Sequence, residues 1–334
     1  MSAAERYRAA LAVTTSTEPW RWEEEVWRPV VEHVPAGRRL VPTVWPGGAR
    51  VAVAISVDAD QETPALRDGN TSPGVLAAGE YGSRVALRRL LRVLDRHAVP
   101  ASFFVPAVSA LLHPDDVRDV AAAGHEVAVH GWIHERNALL ERADERDLTL
   151  RAIDVLERLA GRRPVGIRTP SWDFSPHTLS VVREAGLLYD SSLMADDDPY
   201  ELVEDGEPTG VVEVPVEWIR DDAPYFAMAR YAALRPHTTP DDVLGIWRAE
   251  LHGAIAEGGV FQLTVHPSIL GHRSRVPVLD RLLAEAAASG PVWFATHEQI
   301  ARHVAPDLAG RPLADPARSA TPTTAPPDTP QETS

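Results

Sequence analysis

The chain has 334 residues, 44% of them hydrophobic, and a net charge of -15. That suits one large domain or two ordinary ones with a substantial core, and it disfavours nucleic acid as a partner. Cysteine and lysine are both missing, which excludes disulfides, zinc knuckles, iron–sulfur clusters, thiol nucleophiles, Schiff-base lysines and Walker-type phosphate loops. Met1 to Trp20 shows no basic segment followed by an apolar block, and no apolar run is long enough to span a bilayer. A cytoplasmic location with no membrane partner is therefore expected.

In chain order, residues 1–49 carry Trp20, Trp22, Trp27 and Trp45 among Pro29, Pro35, Pro42 and Pro46. They read as a short helix and an extended arm laid on the domain or on a neighbouring subunit, and a homo-oligomer is expected because so many free Trp side chains would be a liability. Val51, Val53, Ile55 and Val57 alternate with small residues as in a buried strand. Residues 64–80 read as a long functional or mobile loop. From Arg84 a regular alternation begins. Helical patterns cover 84–97, 114–123, 144–159, 176–185, 240–256, 275–288 and 297–304. Strand patterns cover 101–105, 126–129, 165–167, 187–189, 211–216, 260–265 and 292–294. Strands alternating with helices at this spacing make parallel β/α units. With the Val51 strand the series numbers about eight, so the fold class is α/β, a (β/α) barrel over residues 50–305. The Pro- and Thr-rich segment 306–334 reads as a disordered tail.

In such a barrel the chemistry sits at the C-terminal ends of the strands. There the first strand is followed by Asp58, Asp60 and Glu62, the third by His130-Gly-Trp-Ile-His134, the fourth by Arg168-Thr-Pro-Ser-Trp172, the fifth by Asp190-Ser-Ser192 and the seventh by His266-Pro267. The ends of the second and eighth, Val105-Pro106 and Ala295-Thr296, are chemically quiet. Asp58 and Asp60 leave the same face of an extended chain; they are either a helix cap with a solvated loop or two carboxylates that need a cation beside them. On a helical turn His130 and His134 would point the same way and share a metal. With Asp60 they form an N/O site with open coordination positions, the catalytic rather than structural zinc pattern. Asp58 then serves as a base, Arg168 as its orienting partner, and His266 as a candidate acid or else a satisfied buried histidine.

These residues carry a family resemblance. Ser56-Val-Asp58-Ala-Asp60, His130-Gly-Trp-Ile-His134, Arg168-Thr-Pro-Ser-Trp172, Tyr189-Asp-Ser-Ser192 and Leu263-Thr-Val-His266-Pro267 occur in order with family-like spacing. The chain resembles the NodB-homology polysaccharide deacetylases, carbohydrate esterase family 4, over about Val51 to Val304. Within them it looks closest to the cytosolic branch that holds peptidoglycan-deacetylase-like proteins, allantoinases and cyclic imidases. The resemblance implies a distorted (β/α) barrel of seven to eight parallel strands and a zinc or similar divalent ion on Asp60, His130 and His134. It implies a metal-bound water activated by Asp58, with Arg168 orienting Asp58 and His266 as acid. It also implies a substrate pocket with Glu62, Ser171 (through its backbone N–H), Trp172, and Tyr225 and Phe226 of the segment Asp221–Phe226. Ser171 stands where extracellular members carry Tyr, and Leu193 where many members have the acid that tunes the histidine.

The implied activity is hydrolysis of a non-peptide C–N bond in a small-molecule or oligosaccharide N-acyl substrate, such as an N-acetyl amino sugar. A cyclic amide is the alternative substrate. A non-catalytic carbohydrate-binding barrel is the third reading, and the complete set Asp58, Asp60, His130, His134 and Arg168 argues against it.

Overall fold

All eight residues from Val51 to Asp58 are buried in a single strand, β2, and the remainder of the sheet is arranged around it. In this computed structural model, which describes residues 1–227 and 238–308, ten strands form one curled sheet. They are β1 (Ala36–Arg39), β2 (Val51–Asp58), β3 (Ala101–Val105), β4 (Glu126–Val129), β5 (Gly166–Ile167), β6 (Tyr189–Asp190), β7 (Tyr200–Glu204), β8 (Glu207–Glu213), β9 (Val260–Val265) and β10 (Val292–Phe294). The spatial order is β1-β7-β8-β6-β5-β4-β3-β2-β10, with β9 on the other edge of β2. Residues 51–53 of β2 pair with β10, residues 55–58 with β3 and residues 52–57 with β9, all parallel. The distorted barrel is nearly closed by a parallel bridge between Asp221, beyond β8, and Thr264 of β9.

The alternation along β2 assigns its two faces. Val51, Val53, Ile55 and Val57 pack with Leu87, Leu90, Leu94, Ile153 and Leu156 of the surrounding helices. Ala52 and Ala54 face the barrel interior with Phe104, Tyr189 and Val212. Ser56 and Asp58 continue that inward phase, so the barrel delivers Asp58 to its own axis. The interior is tight. A Cβ on Gly166 of β5 would overlap the Tyr189 side chain, whose hydroxyl donates to Glu126 at 2.6 Å. Gly166→Ala is therefore expected to cost about 1–3 kcal/mol of stability by overpacking, read by chemical denaturation; an unchanged midpoint would refute the close fit.

Three expectations change. Residues 64–80 are not a loop: they hold most of a helix at Thr63–Arg67 and of a second at Pro73–Tyr81, which runs through a π-helical turn, Gly82–Leu87, into Arg88–His97. The arm is two helices, Ala3–Thr14 and Glu24–Val31, followed by β1, which pairs antiparallel with β7. Trp45 is buried, donates to Gly258 O at 3.0 Å and stacks near Trp293, whereas Trp20 is 78% exposed and Trp27 42%. The expected tail lies outside the described residues from 309 onward, and its first residues belong instead to a 3-10 turn, Ala305–Leu308. Among the described residues no helix is long and apolar enough to cross a membrane.

Candidate active site

Arg168 follows β5 and is fully buried. A buried guanidinium must find acceptors for five N–H groups in a fixed plane. Nη1 donates to Asp58 Oδ1 at 2.6 Å and to Ser56 Oγ at 2.8 Å. Nε donates to Ser191 O and Nη2 to Ser191 Oγ, both at 2.9 Å. His297 Nε2 lies 3.4 Å from Nη2, and the guanidinium carbon sits 4.1 Å over the Phe104 ring. The end of β10 is thus not chemically quiet. Burial and the facing Arg168 push the His297 pKa well below the ordinary histidine value, so the neutral ring accepts from Arg168. This network fixes one oxygen of Asp58 and leaves Oδ2 facing the barrel mouth, 3.9 Å from His130 Nε2 and 4.0 Å from His266 Nε2.

Asp60 lies beyond β2 in a tight turn closed by Thr63, whose hydroxyl donates to Asp60 O at 2.6 Å. Its Oδ1 is 3.4 Å from His130 Nε2 and its Oδ2 3.5 Å from His134 Nε2. One ligand atom from each of Asp60, His130 and His134 lies within 4.8 Å of the others. Asp60 Oδ1 is buried with no hydrogen-bond partner, and an orphaned carboxylate oxygen among imidazole nitrogens fits a cation. His130 Nδ1–H donates to Arg168 O at 2.8 Å, which leaves the Nε2 lone pair facing Asp60, the usual arrangement of a ligating histidine. Burial opposes charge on Asp60, but His134, His130 and His266 outweigh it and hold its carboxyl well below the usual range.

The two histidines converge by a different route from the one expected. Residues 130–134 are not a helical turn. They form a loop in which Gly131 and His134 both have positive φ, at 71° and 63°. A side chain on Gly131 would strike Pro170 and Glu135. Glu135 accepts from the N–H groups of Trp132 and Ile133 at 2.7–2.9 Å and braces the loop.

His266, beyond β9, turns Nε2 towards Asp60 Oδ2 at 3.8 Å. The acid that Leu193 fails to supply comes from elsewhere. Asp222 Oδ1 accepts from His266 Nδ1 at 2.6 Å, and Asp222 Oδ2 from the His266 backbone N–H at 3.0 Å. Burial alone would lower the His266 pKa, but Asp221 and Asp222 outweigh it and raise it well above the ordinary value. The sequence marks Asp221–Phe226 as a pocket segment, but nothing in its local pattern ties Asp222 to His266, 44 residues away.

The structure places the other expected pocket residues as follows. Glu62 accepts from His113 Nε2 at 2.9–3.0 Å and, with Phe226, borders a cleft of about 700 Å³ that also includes Gln61, Ser268 and Arg275. Ser171 and Trp172 both have φ 56°. Ser171 is exposed, and Trp172 stacks on Trp218 with centroids 3.9 Å apart. The Tyr225 hydroxyl donates to Ile219 O at 3.1 Å.

Residues 78–189 match the family model described as polysaccharide deacetylase. A solved structure from Mycobacterium smegmatis, classed with the polysaccharide deacetylases, is 38% identical with a TM-score of 0.74, covering 84% of this chain and 99% of its own. The chain belongs to the polysaccharide deacetylase family. The family assignment makes it a deacetylase-type hydrolase. The peptidoglycan deacetylase of Helicobacter pylori is 26% identical over 279 residues, 75% of this chain and 94% of that protein. The solved structure of the PuuE allantoinase is also 26% identical, with a TM-score of 0.70 over 80% of this chain and 97% of its own.

Proposed function

We propose that this chain is a metal-dependent hydrolase that removes the acetyl group from an N-acetyl amino sugar or another small N-acyl compound. The observation that carries the reading is the division between two carboxylates at one mouth: Asp58 is held by Arg168, while Asp60 faces His130 and His134 with an unpartnered oxygen. Asp60, His130 and His134 would hold zinc or another divalent ion. Such an ion supplies Lewis acidity to the attacking water and to the acyl carbonyl. Asp58 Oδ2 takes the proton from that water, and the Arg168 network keeps the carboxylate aimed at the mouth. The backbone N–H of Ser171 donates to the acyl oxygen as charge develops there. Protonated His266, held at Nδ1 by Asp222, gives a proton from Nε2 to the departing nitrogen. Glu62, Trp172, Tyr225 and Phe226 line the substrate. The exposed Trp20 and Trp27 support a homo-oligomer within the same reading.

Opening of a cyclic amide is the second reading, favoured by the likeness to the PuuE allantoinase. Zinc-loaded protein assayed on N-acetyl sugars, small N-acyl compounds, allantoin and cyclic imides separates the two, because only deacetylation releases acetate. His134→Ala is expected to bind less than stoichiometric metal in elemental analysis and to be inactive on the same panel. Full metal content in His134→Ala would overturn the ligand assignment.

A further inference from the structure

Arg67 ends the helix Thr63–Arg67, in the stretch that the sequence presents as a loop. Its Nε and Nη2 donate to the two oxygens of Asp68 at 2.9 and 3.1 Å. That grip aims Nη1 at His134, and Nη1 lies 2.9 Å from His134 Nδ1. Two longer contacts accompany it, 3.4 Å to His134 O and 3.4 Å to Ser171 Oγ.

A guanidinium has donors and no acceptor. A contact of 2.9 Å between Nη1 and Nδ1 therefore requires the lone pair on Nδ1. The proton of the neutral ring must then sit on Nε2, which faces Asp60 Oδ2 at 3.5 Å. A histidine that ligates through Nε2 needs the opposite arrangement, with the proton on Nδ1 and an acceptor beyond it. The neighbouring ligand has that arrangement, since the acceptor beyond His130 Nδ1 is the carbonyl of Arg168. His134 has a donor in the same place. The molecule uses the same contact once more, where Arg168 Nη2 faces Nε2 of the neutral His297 at 3.4 Å.

We infer that Arg67 is a positioning residue that weakens metal capture at Asp60, His130 and His134 by holding His134 in the tautomer unable to ligate from Nε2. This rests on the metal reading of the preceding subsection and adds a control to it. Metal binding and the Arg67–His134 hydrogen bond exclude each other. For a metal to bind, the Nε2 proton leaves to solvent, another is taken up at Nδ1, and Nη1 moves off the ring; the net proton count on His134 does not change. Ser171 Oγ is within reach of the displaced Nη1 and exposed to solvent.

Chelator-competition titration with zinc, on the full chain, is the test. Arg67→Met and Arg67→Gln remove the obligatory donor, and each is expected to bind zinc about 10–100-fold tighter than the parent. Arg67→Lys can only donate and should stay near the parent. Nitrogen-15 NMR of the imidazoles reads the tautomer directly and needs no variant. Metal-free parent should show His134 protonated on Nε2, switching to Nδ1 when zinc is added. A general charge effect of Arg67 would not produce that switch. Equal zinc affinity in the parent, Arg67→Met and Arg67→Gln, or an Nδ1-protonated His134 in the metal-free parent, overturns the inference and leaves the metal site standing. No zinc uptake by the parent or by any variant defeats the metal reading and this inference together.

Discussion

Asp58→Asn is expected to retain its metal and to lose turnover by about 10²–10⁴, the usual contribution of a general base. The geometry separates the two functions. Asp58 gives Oδ1 to Arg168 at 2.6 Å and keeps Oδ2 towards His130 and His266 at 3.9 and 4.0 Å. Asp60 is the carboxylate nearest both His130 and His134. Asparagine fills the same volume and still accepts from Arg168, so folding should survive, but its amide cannot take a proton. Metal content by elemental analysis and kcat for acetate release are the two readouts. Loss of metal would make Asp58 a ligand. Full activity would move the base elsewhere, and Glu62 is a poor substitute because both its oxygens face His113. Arg168→Met is a less informative companion. The guanidinium is fully buried and bonded to Ser56, Asp58 and Ser191; breaking a buried ion pair costs about 3–5 kcal/mol, so lost activity would come mixed with lost stability.

The barrel and its mouth were legible because their signals are local. Period-two alternation in β2 sets both the core face and the inward phase of Ser56 and Asp58. The strand-then-polar pattern places Asp58, Asp60, His130, Arg168 and His266 at strand ends, and the structure brings all five together. The four-residue spacing of His130 and His134 was informative while its helical explanation was not, because Gly131, the left-handed His134 and the bracing Glu135 produce the same convergence in a loop. Two kinds of residue escaped. The edge strand β1 pairs antiparallel with β7 through a polar sequence, Ala36-Gly-Arg-Arg39, which carries no apolar alternation. Asp222, His297 and Arg67 act through contacts 44, 129 and 67 residues away. Such pairings are set by how the barrel closes, for instance by the Asp221–Thr264 bridge, and leave no trace in local spacing. Arg67 was further hidden because Gly69, Pro73 and Gly74 make its neighbourhood read as a loop.

Asp222→Asn is expected to lower kcat by about 10²-fold or more on an alkyl amide, the range of general acid help, and to do so far less on an anilide-type substrate. Asp222 is fully buried and binds His266 twice, at Nδ1 through Oδ1 and at the backbone N–H through Oδ2. Asparagine has one oxygen for two N–H donors, so either the ring or the backbone loses its acceptor. The negative charge that helps to hold His266 protonated is lost as well. A weaker acid matters most when the leaving nitrogen is strongly basic and must be protonated to depart. An aniline leaves with less help, so the ratio of the two rates distinguishes proton donation from a general disturbance of the site. Rates that fall equally on both substrates would make Asp222 a structural support for the Asp221–Phe226 segment. Rates that do not fall on either would remove His266 from the reaction. His266→Ala should reproduce the same leaving-group dependence with a larger loss, and a double variant should lose no more than His266→Ala, since Asp222 acts on the leaving group only through that ring.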